Sequence, residues 1–307
     1  MDSGPGPGDR DSLVVTGLGA RLIPRQGPAL DGEVLPWLKS RKIRKYMGKQ
    51  DELAVIASGE ALRMAGVAGG DTNERVGVYL CVGYIPFERA DIEALTSHSI
   101  RSGIFSMELF STAGIEQVNP LLTFRCLPNM PIFHVSLNFG ICGPYFVTYP
   151  GIGQFYLALE RAVSALRAGE IDQALVGGVA DQNNFLVDFH FERQPAGRRG
   201  MARQDGAAAL CLETRASAER RGAPPKAELL GFEIGYRPHD PLRDVLPLEE
   251  ACMLRASRFA GAGEGELGPC SLAAALHGAV QAAGSGELMH SAKTPDGFIV
   301  ASRWRLA

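Results

Sequence analysis

The chain has 307 residues, enough for one large domain or two small ones with an ample core. Hydrophobic residues make up 46% and charged residues 21%, an ordinary globular balance, and the formal net charge of -3 excludes a general attraction for nucleic acid or an anionic membrane. No uninterrupted apolar run approaches the ~20 residues that a membrane-crossing helix needs.

The N-terminus, rich in Gly, Pro and Asp, lacks the basic-then-apolar pattern of a signal peptide. Cysteines at 81, 126, 142, 211, 252 and 270 show no CxxC pair and no clustering with His, so no metal site and no disulfide framework are expected. Reduced thiols in a cytoplasmic protein are the expectation. Cys81, Cys126, Cys142 and Cys211 lie in apolar runs, where Cys packs as a small hydrophobe. No cofactor is expected. The cluster Arg41, Lys42, Arg44 and Lys45 reads as a solvated face.

Residues 1–12, including Gly4-Pro5-Gly6-Pro7-Gly8, are expected to form a disordered tail. Leu13 to Gly17 reads as a buried strand closed by Gly17 and Gly19. Asp51 is the expected cap of a helix to about Ala65, with Leu53, Ile56, Ala57 and Met64 facing inward. Val76 to Val82 is a second buried strand. Residues 84–126 mix aromatics, glycines and weak helical periodicity, the marks of a long insertion. Phe146-Val147-Thr148-Tyr149 is a third strand, leading through Pro150-Gly151 into an amphipathic helix. Ile152, Phe155, Tyr156, Leu159, Val163 and Leu166 fall on one stripe of that helix, and Gly169 ends it. Gln173 to Gly178 then closes a right-handed strand-helix-strand unit, which implies parallel pairing. Gly206 to Glu213 and Lys226 to Gly235 are further strands, with a charged helix ending near Gly222 between them. Beyond lie the glycine-rich stretch Gly261 to Gly268, an alanine-rich helix from Ser271 to Ala283, and a last strand from Gly297 to Trp304.

Several of these segments together resemble the β-ketoacyl synthases. Val14-Val15-Thr16-Gly17-Leu18-Gly19 is similar to their opening strand and turn, and Arg75-Val76-Gly77-Val78 to their second strand. The most specific segment is Leu127-Pro128-Asn129-Met130-Pro131, followed by His134-Val135-Ser136 and Phe139-Gly140-Ile141-Cys142-Gly143-Pro144. Arg167 to Gly178 and Asp205 to Leu210 complete it. The resemblance implies an α/β, thiolase-like fold with mainly parallel buried sheets. Residues 13–235 would be an intact N-terminal half, and 236–307 a shortened remnant of the C-terminal half.

That family's chemistry needs a Cys at a strand-to-helix turn, where the helix N-terminus favours the thiolate. Counting from Gly143-Pro144, its place falls on Ile152, which has no heteroatom to acylate. Shifts of one or two residues meet Pro150, Gly151, Gly153 or Gln154, none of them nucleophilic. Cys142 reads as a packed thiol. No segment resembles the family's HGTGT motif or its later Gly-His pair. His277, in a helix, and His290, in a polar loop, read as surface or structural, and His134 as a hydrogen-bonded structural residue.

The resemblance therefore implies no catalytic residue in this chain. It implies a chain length factor: a non-catalytic subunit that pairs with a ketosynthase of a type II polyketide system and shapes the acyl tunnel. Its expected partners are the ketosynthase α subunit and an acyl carrier protein bearing the growing chain. Phe146, Val147, Thr148 and Tyr149 are the candidate dimer edge. Phe105, Met107, Leu109, Phe110, Ile115 and Val118 of the insertion are the candidates for limiting chain length by volume. Chain length factors of aromatic systems usually carry Gln where Ile152 stands; that departure and the shortened C-terminal half together lead to the expectation of a system making reduced or polyene chains. Two other readings stay open at this point: a stand-alone thiolase-fold scaffold or acyl-binding protein, and an enzyme using a different nucleophile.

Overall fold

The computed structural model describes residues 11–23, 30, 32–67, 72–192, 203–237, 258–261, 267–294 and 296–307. Most of the expected tail, Cys252 and residues 262–266 of the glycine-rich stretch lie outside the described residues. The first elements are β1 (Leu13–Ile23), α1 (Lys49–Met64) and β2 (Val76–Val82). The excursion after β2 holds α2 (Arg89–Thr96), β3 (Ile100–Arg101), β4 (Ile104–Phe105), α3 (Met107–Leu109) and α4 (Leu122–Cys126). Next come α5 (Met130–Phe139), β5 (Tyr145–Thr148), α6 (Ile152–Arg167), β6 (Gln173–Ala180) and α7 (Phe185–Glu192). The remainder is β7 (Asp205–Thr214), α8 (Arg215–Arg221), β8 (Ala227–Tyr236), β9 (Arg258–Gly261), α9 (Ser271–Gln281), β10 (Gly286–Lys293) and β11 (Phe298–Leu306).

One sheet holds nine strands in the order β5-β2-β6-β7-β1-β8-β11-β10-β9. β5 and β6 both pair parallel with β2, which lies between them. The strand-helix-strand unit around α6 is thus real, with an earlier strand inserted into it. From β6 to β10 every neighbouring pair is antiparallel, so the sheet is mixed rather than mainly parallel.

Helices cover both faces, and strand alternation decides which residues meet which helix. Val78, Leu80 and Val82 of β2 join the cluster under α1 and α5, whereas Tyr79 and Cys81 join the one under α6 and α9. All six residues of the expected α6 stripe are buried. α1 lies close on β1 because Gly17 and Gly19 have no side chain. A Cβ on either would come within 2.1 Å of a carbonyl oxygen, of Ala61 or Ala57 respectively.

Three local expectations are corrected. Gly48, not Asp51, is the cap of α1; Asp51 sits inside the first turn and accepts from the Gly48 N–H at 2.7 Å. Met64 does not face the core but is 37% exposed, with its sulfur accepting from the Leu18 N–H. The segment around His290 is no polar loop: it is β10, with Leu288 to Ala292 buried. There His290 forms a buried network with Tyr156 Oη (2.9 Å) and Ser271 Oγ (3.0 Å), and Tyr156 also meets Ser302 Oγ (2.8 Å). The network ties α6, α9, β10 and β11 together. A sequence window misses it because its members are far apart in the chain and polar. Among the described residues no helix is long and apolar enough to cross a membrane.

Candidate functional site

The three parallel strands β5, β2 and β6 end on the same side of the sheet, the usual place for a site in such sheets. The residues at and just past their C-terminal ends line one cavity of about 370 Å³: Gly83 and Tyr84 after β2, Pro150 to Ile152 after β5, and Ala180, the last residue of β6, with Asp181 and Gln182. His190 and Phe191 of α7, with Pro269, Thr294 and Asp296, also line it.

Ile152 stands where the chain turns from β5 into α6. Gly151 is the cap, in extended conformation, and Ile152 is the first helical residue. Its side chain is 7% exposed and belongs to both the cavity wall and the core cluster under α6. A hydrocarbon side chain at the helix N-terminus offers neither nucleophile nor proton.

Two cysteines approach this turn. Cys81 donates its thiol to the Gly151 carbonyl at 3.3 Å, and Cys270 donates to the Leu267 carbonyl. Burial pushes both thiols up to about 12, so each is a protonated, packed group. Cys142 is exposed, against the expectation of a packed thiol, and lies at the opposite end of β5 from Ile152. The turn after Gly140 carries the chain over the surface there, and local apolar sequence does not register that.

The polar groups of the cavity come from residues not singled out in the sequence. Tyr84 Oη lies 2.6 Å from His190 Nε2, and burial lowers the pKa of His190 while Asp296 opposes the shift, which keeps the imidazole neutral at pH 7. Asp181 lies 3.2 Å from Lys49 Nζ, which also bonds Asp205 at 2.5 Å. Asp205 further accepts the Gln182 and Asn183 N–H groups, both at 2.7 Å, and so fixes the loop after β6. Burial raises the pKa of Asp181 against the pull of Lys49, whereas the hydrogen bonds to Lys49 and Asn183 outweigh burial and lower that of Asp205. Asp296 accepts from Gln154 Nε2 at 2.7 Å, above the first turn of α6. A strand-end rule applied to the sequence could have found Tyr84 and Asp181. Nothing local marks His190 or Asp296.

The other candidates fall elsewhere. Phe105, Met107 and Ile115 are 48%, 66% and 54% exposed, Leu109, Phe110 and Val118 are half-buried, and none lines the cavity. With Ile100 and Ile104 they form an apolar surface on the excursion after β2. β5 is an edge strand, not a central one. Phe146 and Tyr149 are 37% and 40% exposed, Val147 is half-buried, and Thr148 is buried, donating to the Gln154 carbonyl. Tyr145, not among the candidates, is the most open residue of the strand at 72%. His134 is wholly buried on α5, and burial pushes its pKa down to about 4; the Tyr46 backbone faces its ring outside good hydrogen-bond geometry. His277 is half-buried on α9. His290, expected at the surface or in a structural role, is structural, and burial pushes it down to about 4.

Residues 35–218, more than half the chain, match the family model described as Beta-ketoacyl synthase, N-terminal domain. The 3-oxoacyl-acyl-carrier-protein synthase 2 of Staphylococcus aureus is 24% identical over 216 residues, covering 62% of this chain and 47% of that protein. The chain thus spans about half the length of the curated relatives it matches. Among solved structures, a type II PKS acyl-carrier protein in complex with its ketosynthase superposes with a TM-score of 0.74 at 16% identity, covering 97% of this chain and 100% of that one. The ishigamide ketosynthase/chain length factor gives 0.71 at 16% identity, covering 96% and 99%. The fold is thiolase-like.

Proposed function

The chain belongs to the β-ketoacyl synthase family through its N-terminal domain, and on that premise we propose that it is a non-catalytic chain length factor. In this reading it pairs with a ketosynthase α subunit of a type II polyketide system making reduced or polyene chains. The carrying observation is Ile152, buried at the head of α6, where the family's chemistry would need a thiolate.

The chain's own residues support two roles. Among the described residues β5 is an open edge, with Tyr145 and Phe146 exposed on it and Tyr149 exposed just past its end, and unpaired strand edges gain hydrogen bonds and apolar burial by pairing. Phe105, Met107 and Ile115 are exposed and do not line this chain's own cavity, which leaves them free to end a partner's acyl tunnel. Phe110 is half-buried with its ring 5.8 Å from that of Phe105, and Val118 is half-buried in the same excursion. A packed wall limits chain length by volume alone, since interiors tolerate little overfilling.

The test is co-expression with the ketosynthase encoded nearest to this chain and with a carrier protein. The expected result is a stoichiometric heterodimer, with longer products from Phe110→Ala or Ile115→Ala. A chain that purifies alone, or a heterodimer whose products keep their length in both variants, defeats the corresponding half of the proposal. A stable acyl adduct on the isolated chain defeats the non-catalytic reading.

A further inference from the structure

A second cavity, about 10 Å³ against about 370 Å³ for the first, lies where the excursion meets the core. Gln50 and Asp51 of α1, Gly83 just past β2, and Arg125 of α4 are among its walls. The space is too small for an organic ligand and is about what a single water needs.

Two polar atoms in these walls are buried without a protein partner, and they are opposite in kind. Gln50 is 4% exposed, and its Nε2 donates to the Tyr84 carbonyl at 2.8 Å. That bond fixes which way the amide points and leaves Oε1 as an unpaired acceptor. Arg125 donates through Nη2 to Asp91 of α2 at 3.3 Å, while its Nε is an unpaired donor. Asp51 adds no charge beside them, because burial pushes its carboxyl up to about 8 and so keeps it protonated at pH 7.

We propose that this cavity is a binding site for one water molecule, which accepts from Arg125 Nε and donates to Gln50 Oε1. The pair of orphans selects the ligand. A metal cation would suit Gln50 Oε1 but meet the Arg125 guanidinium, the one charged group in the wall at pH 7. A halide would suit Arg125 but meet the amide oxygen. Water donates and accepts at once, and a bridging water is nearly as good as a direct bond. Gln50 already holds the residue backbone after β2, and Arg125 already holds α2. The water therefore completes a hydrogen-bonded path from β2 through α1 to α4 and α2, joining the excursion to the core. The site stands apart from the proposed function and does not depend on it.

The first experiment is a high-resolution crystal structure of the full chain, with crystals also soaked in sodium bromide. Density is expected within hydrogen-bond distance of both Gln50 Oε1 and Arg125 Nε, with no anomalous bromide signal there. A dry site, a bromide peak, or a direct Gln50–Arg125 hydrogen bond would each overturn the proposal. The second is a double-mutant cycle in urea unfolding with Gln50→Met and Arg125→Met, which keep bulk and remove the two orphans. Because one water serves both groups, the double variant should lose at least about threefold less in folding equilibrium constant than the product of the two single losses. Losses that simply multiply would show that nothing links the two side chains.

Discussion

The head of α6 and the excursion after β2 are both rich in large apolar residues, and they use them in opposite ways. At the head of α6, Ile152, Phe155, Tyr156 and Leu159 are drawn into the chain's own core, with Phe155 and Leu159 wholly buried. In the excursion, Ile104 and Met107 are 73% and 66% exposed. Apolar content is therefore no guide to role here. Burial in the core cluster it shares with α9 and the sheet makes the first region a stability element, while the second leaves its apolar residues exposed.

The contrast can be broken most sharply at Phe155. Phe155→Ala should cost about 3–5 kcal/mol in urea unfolding, because the cavity it leaves sits between helix and sheet. If the loss were under ~1 kcal/mol, the head of α6 would not be the packed region described. Next in size, Asp205→Ala removes the acceptor shared by Lys49 and two loop N–H groups, and should cost roughly 2–4 kcal/mol in the same assay.

The pH dependence is somewhat smaller. His290 has a folded pKa pushed down to about 4, below its ordinary value, so the unfolded chain binds that proton first. Its contribution is complete above the unfolded pKa near 6.5 and is lost as pH falls toward about 4, by up to roughly 3 kcal/mol. Thermal unfolding followed from pH 7.5 to 4.5 should show a falling Tm, and His290→Gln should flatten that slope while lowering the plateau. A slope unchanged by the substitution would assign the acid loss to other groups.

The smallest stability effect belongs to the excursion. Phe105→Ser and Met107→Ser should change unfolding free energy by no more than ~0.5 kcal/mol, while weakening assembly with the ketosynthase in a pull-down. Large destabilisation from either would move the excursion into the core class and erase the distinction between the two regions.

Much of this architecture is written locally in the chain. The α6 stripe, the buried runs of β2 and β6, and the glycines that let α1 approach β1 follow from periodicity and residue size, which act over a few neighbouring positions. So does the hydrocarbon at the head of α6, since Ile152 can be located by counting from Gly143-Pro144. The tertiary structure decided what depends on distant residues meeting. It buried His290 by bringing Tyr156 and Ser271 to it, inserted β2 between β5 and β6, and turned Cys142 outward. It also placed Asp296 over a helix that begins far earlier in the chain. Polar residues are ambiguous in sequence, because the same side chain is cheap in water and costly in a core without a partner. Only the fold supplies the partner, and at the head of α6 it supplied a carboxylate.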